Sequence, residues 1–485
     1  MCREEMDKIR VGQEVLIEDK ETGCFIPKPV LWTGTRNDFF ITGEDFYEKY
    51  NQEEVEQKFG VKFPCFRQDL KDDTLWDILY GKGVRLVHQE FIPEYFEVRD
   101  YRYWIQENKP FIFPIRIEFD TALKYFNKIK LPKDLKEAVR GGLATIVIES
   151  PWETRNLAPW CFEGLINFQK IYRFPKNQVI FCGSQAGSKV ETLVTTQNYP
   201  FTFHKIQYFR EFCWNVNRQS ILRPGVQSKL NSWFEFFSKE TGKQGFSKTF
   251  LAELGRSTPD RLFLFGTLHE EFKDESYFSF RNHYDSDTAV IYKDLRVLKE
   301  IMFRYVDWYG KIADFLESYD YSKRYELDLG HGSQTEDWFS LDSDKDFRKS
   351  SFIEIVPETN FTNEYSSFIT EKTYKPILSI KPFIVIANSG FLKALQEDGF
   401  QTFSRWWDES YDEEKDGYLR LIKIRNLLQS LSKLSEEEMQ KMYEEMKPTL
   451  LHNFNLLVDR GETVKTLGWY KSLEKLGTKT KVNLI

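Results

Sequence analysis

The chain predicts an α/β fold in two parts, and three observations carry that prediction. Short apolar runs rich in β-branched residues read as buried parallel strands at Ala144–Ile148, Gln178–Cys182, Phe352–Val356 and Phe383–Ala387. Segments with helical apolar spacing alternate with them, as at Phe162, Leu165, Ile166 and Ile171. At 485 residues the chain is also too long for one core, so two or three domains are expected.

The elements follow in chain order. Met1–Asp134 is irregular in pattern and rich in Trp, Tyr and Phe, with strand-like runs at Val84–His88 and Phe111–Phe119. Ala144–Ile148 is then a strand, followed by a polar loop at Glu149–Asn156, a helix, and the strand Gln178–Cys182. That is a βαβ unit, whose crossover is expected to be right-handed. Gly183-Ser184-Gln185-Ala186-Gly187 follows. Two glycines after a strand can admit a phosphate, but more often they only make a turn, and the turn is the favoured reading.

Arg223-Pro224-Gly225 and a Lys/Gly/Gln stretch break the pattern, so residues 217–245 are read as an interdomain connection between domains at 1–216 and 246–459. The second region opens at Lys248-Thr249-Phe250-Leu251. Ser435-Glu436-Glu437-Glu438 is a capping box announcing a helix that Pro448 bends or restarts before Leu450–Leu457. Residues 460–485, amphipathic then basic, are expected to pack back on the first domain. There is no internal repeat at solenoid periods.

Composition narrows the function classes. Hydrophobic content of 41%, with 16% aromatic, is ample for packed cores, and 43 Phe point to aromatic packing and sugar-stacking faces. A net charge of −7 gives no global attraction to nucleic acid or anionic membrane. No apolar run approaches a membrane span, and Met1–Val15 is charged throughout without a hydrophobic signal core, so a cytoplasmic protein is expected. The sequon Asn360-Phe361-Thr362 is then a chance match.

Cys2, Cys24, Cys65, Cys161, Cys182 and Cys213 are scattered without close pairs, as in a reduced protein without a zinc site. The six histidines lack metal-ligand spacing. No G-x-S-x-G elbow, P-loop or GxGxxG occurs, which disfavours hydrolase, NTPase and dehydrogenase classes.

Residues 352–388 carry the densest chemistry. Ligands of open α/β sheets bind outside the carboxyl ends of the strands. Glu358, Asn360, Glu371 and Lys372 lie in the crossover between two strands there. An acid for ribose hydroxyls, a base for phosphate and a helix start form a cradle for a nucleoside diphosphate. Proline is tolerated in the first turn of a helix, so Pro376 predicts a start near Thr373, which can serve as N-cap. Thr370, Glu371 and Lys372 then lie on the approach to the helix. A start at Thr370 would leave Pro376 to kink it. A surface Glu–Lys pair is the bland alternative, and the ordered set of strand, acid, TEK, proline and strand outweighs it.

Phe250–Arg261 reads as a strand ending in a glycine turn with two arginines, whose guanidinium forks fit phosphate oxygens. Taken alone, two surface arginines are an equal reading. Asp285-Ser286-Asp287 and Asp342-Ser343-Asp344 fit a metal-binding Asp-x-Asp pattern. Such short patterns are expected by chance among 75 acidic residues, and both are disfavoured.

The TEK segment resembles the donor-binding motif of α1,3-fucosyltransferase-type glycosyltransferases. The similarity extends through Gly390-Phe391-Leu392-Lys393-Ala394-Leu395, Gly399-Phe400-Gln401-Thr402-Phe403 and Trp407-Asp408-Glu409-Ser410-Tyr411-Asp412. These resemble glycosyltransferase-like proteins of phages and marine microbes that share a TEK-x-x-KP core. The resemblance covers roughly Phe250 to Asn453 and is most specific between Glu358 and Asp412.

It implies a GT-B fold, two Rossmann-like domains facing a cleft, and a metal-independent, inverting transfer of sugar from a nucleotide-sugar to an acceptor hydroxyl without a cofactor. By the same resemblance Glu371 holds ribose and Lys372 phosphate, with Thr370 beside them. Arg256, the better placed arginine, contacts the diphosphate; Arg261 shares that role or opens the next helix and pairs with a carboxylate. Glu358 and Asn360 stand beside the sugar. The catalytic base comes from the first domain, as Glu149 or Glu153, with Glu149 favoured.

The families carry a Glu-Asn pair and a Gly-Tyr before TEK. Here Thr359 separates Glu358 from Asn360, and Ser366-Ser367-Phe368-Ile369 precedes TEK, so fucose is not carried over. The acceptor is a glycan, a protein or modified DNA, the last disfavoured by the acidic charge. A carbohydrate-binding scaffold without turnover is the competing class.

Overall fold

The computed structural model describes residues 101–117, 131–150, 157–206, 226–255, 257–280, 288–302, 306–321, 344–362 and 367–462. It adds short strands at 14–18, 25–29, 32–33, 39–40, 84–86 and 483–484, and a few isolated positions. The fold is α/β with two parallel sheets.

In the first sheet β1 (Phe111–Ile117), β2 (Ala144–Ser150), β3 (Val179–Ser184) and β4 (Thr202–Ile206) pair in chain order, all parallel. Side chains alternate along a strand, so Phe111, Phe113 and Ile115 share one face with Ala144, Ile146, Ile148, Val179 and Phe181. That face packs on three helices: α1 (Lys133–Arg140) through Leu135 and Val139, α2 (Glu163–Tyr172) through Leu165 and Phe168, and α3 (Lys189–Thr196) through Val190 and Val194. Ile171, expected on the inner stripe of α2, points outward at 60% exposure. Phe168, one turn beyond Leu165, takes the inner position.

The outer edge of β1 is paired at both ends. Asn483–Leu484 run parallel to Phe111–Ile112, and Val84–Leu86 run antiparallel to Ile115–Ile117. The tail thus reaches the first sheet, and a β1 edge that would otherwise expose unpaired backbone groups is covered.

The second sheet has a different order. β5 (Lys248–Leu254) leads through a helix, α5 (Pro259–Glu271), to β6 (Ser276–Phe280) on one side. The chain then returns to lay β7 (Ser351–Pro357) on the other side of β5, with β8 (Phe383–Ile386) beyond it. All are parallel, in the order β6-β5-β7-β8. Every residue of β7 and β8 is buried, which explains why both are mainly apolar.

Two helices complete the second core. One of them, α4 (Val226–Glu240), lies inside the stretch expected to connect the domains, and its Leu230, Trp233 and Phe237, at helical spacing, belong to the second core. Glu436–Glu462 begins at the expected capping box: Glu438 N donates to Ser435 Oγ (3.2 Å), and Ser435 N donates to the Glu438 carboxylate (2.8 Å). Pro448 does not divide this helix, because Leu450, Phe454 and Leu457 continue its buried face beyond the missing N–H. Among the described residues no helix is long and apolar enough to cross a membrane.

Candidate functional site

Strand order in the second sheet reverses between β5 and β7, so the crevice outside their carboxyl ends is a topological switch point, the usual ligand position of an open α/β sheet. β5 leads into Gly255, and β7 leads into Glu358, Thr359 and Asn360. Beside them begins a helix, α6 (Glu371–Leu378), with Thr370 as N-cap; its hydroxyl accepts from Lys372 N at 3.2 Å.

The start therefore lies earlier than expected from Pro376, which sits inside the helix. Glu358 is the cause. Its carboxylate accepts from Thr370 N (3.0 Å), Thr370 Oγ1 (2.7 Å), Thr373 Oγ1 (2.5 Å) and Thr359 N (3.1 Å). Those bonds fix both threonines and bring a negative charge to the positive helix end. The helix ends two residues after Pro376, which limits what the missing bond costs.

Glu371 and Lys372 are thus first-turn residues. Their side chains pair at 2.7 Å and remain 19% and 27% exposed. Lys372 Nζ also lies 3.3 Å from Thr370 Oγ1 and 3.4 Å from Thr359 Oγ1, which are long contacts. Burial opposes ionisation of Glu371, but the Lys372 ammonium and its hydrogen bond, a backbone N–H and the Lys375 charge together outweigh it and hold the carboxyl below its usual value. Lys372 and the helix N-terminus together favour an anion at this spot, while Glu371 supplies acceptors for hydroxyls.

The remaining expected residues fall as follows. Glu358 is 1% exposed and spends its oxygens on its own chain. Asn360 is buried, and its carbonyl accepts from Asn388 N at 2.8 Å. Arg261 is a buried residue of α5, whose Nη2 donates to Pro357 O (3.2 Å) and so braces the end of β7. Its charge also acts on neighbouring Asp260.

Glu149 lies in β2, because that strand runs on to Ser150, and its register neighbours are Arg116 and Cys182. Arg256 and Glu153 lie outside the described residues. The structure therefore gathers Arg261, Glu358, Asn360, Thr370, Glu371 and Lys372 at the end of β7, with Glu149 on the other sheet. Of the two Asp-x-Asp patterns only Asp344 is described, and it is buried against Arg348.

Beneath the site lies a charge cluster that the sequence reading missed. Lys375 of α6 donates to Glu253 of β5 at 2.7 Å. Arg348 meets the other oxygen of Glu253 (2.7 Å), Asp344 (2.8 Å) and Glu354 of β7. Lys381 donates to Arg348 O at 2.8 Å and to Ser351 Oγ at 2.8 Å. Burial, with the Glu253 carboxylate nearby, pushes Asp344 up to about 8 against the pull of Arg348. Burial pushes Lys381 down to about 7 although Glu354 opposes it. One readable sign was Glu354, a lone charge in an apolar strand.

Asn388 was missed as well. It follows β8 by two residues, within a stretch that reads as turn punctuation, yet it is 1% exposed.

The downstream motifs brace a short helix, α7 (Phe391–Glu397). The Asp412 carboxylate accepts from Leu392 N (2.9 Å) and Lys393 N (3.2 Å), Glu409 accepts from Phe403 N (2.8 Å), and Phe403 packs on Trp407. The Gly183–Gly187 turn meets this region. Ala186 N donates to Ser367 O (2.8 Å), Ser188 N and Oγ to Glu397 (2.9 and 3.0 Å), and Lys189 Nζ to Ser389 O (2.9 Å). Lys205 pairs with Asp398. Loops at the carboxyl ends of both sheets are therefore in contact. Set against known proteins, the chain matches no family model, no curated protein and no solved structure.

Proposed function

We propose that the protein is a glycosyltransferase of the GT-B type, moving a sugar from a nucleotide-sugar donor to an acceptor hydroxyl. The observation that supports this best is the coincidence of the TEK helix start with the switch point of the second sheet. The contact between the carboxyl-end loops of the two sheets fits two Rossmann-like units facing a cleft.

The departing nucleoside diphosphate gathers negative charge in the transition state. Lys372 and the N-terminus of α6 stabilise that charge, with Arg256 as a further cation. Glu371 accepts from ribose hydroxyls. Arg261 and Glu358 act from beneath: one braces the end of β7, the other pins the threonines that start the helix. Transfer is inverting and metal-independent in this reading, as in the enzymes the TEK segment resembles. A first-domain carboxylate, Glu149 before Glu153, takes the acceptor proton. The protein works in the cytoplasm on a glycan or another hydroxyl-bearing acceptor.

A panel of nucleoside diphosphates in a thermal-shift assay, with and without chelator, tests the reading. One base should stand out, because a ligand at about a hundred times its dissociation constant adds about 2.7 kcal/mol. Lys372→Ala should weaken donor binding by about 2–4 kcal/mol with the fold intact. Undiminished affinity in that variant removes Lys372 from the site. A shift that needs magnesium or manganese restores the Asp-x-Asp alternatives.

A further inference from the structure

We infer that Asn388, with Asn360, reads a hydroxyl-bearing part of the ligand; on the function proposed above, on which this rests, that part is the transferred sugar. Buried polar atoms in folded proteins are nearly always hydrogen-bonded, and each exception calls for a physical cause. Among the described residues, Asn360 Nδ2 and Asn388 Oδ1 are both buried without a partner, in residues only 8% and 1% exposed. The two residues are neighbours along the backbone. Pro357 at the end of β7 pairs with Ile386 at the end of β8, and beyond them Asn388 N donates to Asn360 O at 2.8 Å.

The chemistry selects the ligand group. Asn388 Nδ2 faces Ser389 O (3.3 Å), which can only accept, and Ser367 Oγ (3.1 Å). The amide is thereby oriented, and its unpartnered atom is the oxygen, an acceptor. A phosphate or carboxylate offers only acceptors and leaves that oxygen unsatisfied. A hydroxyl donates to it and can accept from Asn360 Nδ2 in return. Nor is Glu358 free to answer the pair, since it is engaged with Thr359, Thr370 and Thr373.

Position agrees with chemistry. Lys372 Nζ lies 3.4 Å from Thr359 Oγ1, one residue before Asn360. An anion held at Lys372 therefore places whatever is esterified to it beside the two amides. Access is governed by the first sheet, because Ser367 and Ser389, which flank Asn388, are held by Ala186 N and Lys189 Nζ. The amides become reachable as that contact parts.

Calorimetric titration of the full chain separates this inference from the reading beneath it. The probes are UDP and GDP, each compared with its hexose esters UDP-glucose and GDP-mannose. Asn388→Ala and Asn360→Ala should each weaken the ester by about tenfold while leaving the matching diphosphate within about twofold. Equal losses for ester and diphosphate, or no loss for either, overturn the role of the amides. A lowered melting temperature with unchanged affinities means that they hold a structural water instead. If Asn388→Ala does not fold, the milder Asn388→Ser and the Asn360 variant give the same readout. A wild-type protein that binds neither diphosphates nor esters overturns the glycosyltransferase reading itself, and the inference with it.

Discussion

In the first sheet four parallel strands follow one another in chain order, whereas in the second the chain places β6 beside β5 and then crosses back to put β7 on the opposite side. The two sheets also differ in what they bury. The first core is apolar and phenylalanine-rich, built from Phe111, Phe113, Phe162, Phe168 and Phe181. The second encloses Arg348, Glu354, Asp344 and Lys381 beneath the strands. Where strand order runs one way, successive crossovers lie side by side. Where it reverses, crossovers leave in opposite directions and a crevice opens between them. Polar groups of the second half gather at that crevice, and the charge cluster fastens α6 to β5 through Lys375 and Glu253.

The largest test of this contrast is removal of the cluster's centre. Arg348→Met leaves Glu354 and Asp344 buried without their cation and should cost about 3–5 kcal/mol in urea denaturation. Ile148→Val in the first core should cost only about 0.5–1.5 kcal/mol. Similar losses would mean that the charges do not distinguish the halves.

A smaller effect tests the contact between sheets. Gly187 has φ +66°, and an added Cβ would stand 2.8 Å from a Glu397 oxygen and 3.0 Å from the Ala394 Cβ. Gly187→Ala should therefore cost about 1–2 kcal/mol from backbone strain, with the contact loosened further. Unchanged melting and unchanged protection of the Ala186 amide from hydrogen exchange would count against a tight junction.

The smallest effect is a slope. Asp344 binds its proton more tightly when folded, at about 8 against a usual 3.8, so folding grows less favourable as pH rises through that window. Lys381, lowered to about 7 from 10.5, acts in the opposite sense, but only above its folded value. Between about pH 5 and 7 the wild-type stability slope should therefore be more negative than that of Asp344→Asn. Parallel slopes would show that Asp344 is ionised in the fold.

The parallel strands were legible because strands covered on both faces are spelled mainly in apolar letters, without a break in β8 and with only Glu354 interrupting Phe352–Val356 of β7. The place of the candidate residues at the end of β7 followed from the same pattern. Its fine structure did not. The start of α6 shifted from Thr373 to Glu371 because Glu358 reaches forward 12 and 15 residues to two threonines, a bond that local propensity does not encode. The Arg348 cluster was hidden for a similar reason, since Glu253 lies 95 residues from Arg348 and 122 from Lys375. Arg261 looked like a phosphate ligand because sequence shows its charge but not its burial beneath Pro357.

The Glu397 carboxylate bears on where anions can settle. It is tethered against Ser188 N and Oγ at the start of α3, the position that a glycine loop after a strand would otherwise offer to phosphate. A phosphate from solution must compete there with a resident group at very high effective concentration. A carboxylate of the second half thereby screens the start of α3 for as long as the halves stay joined.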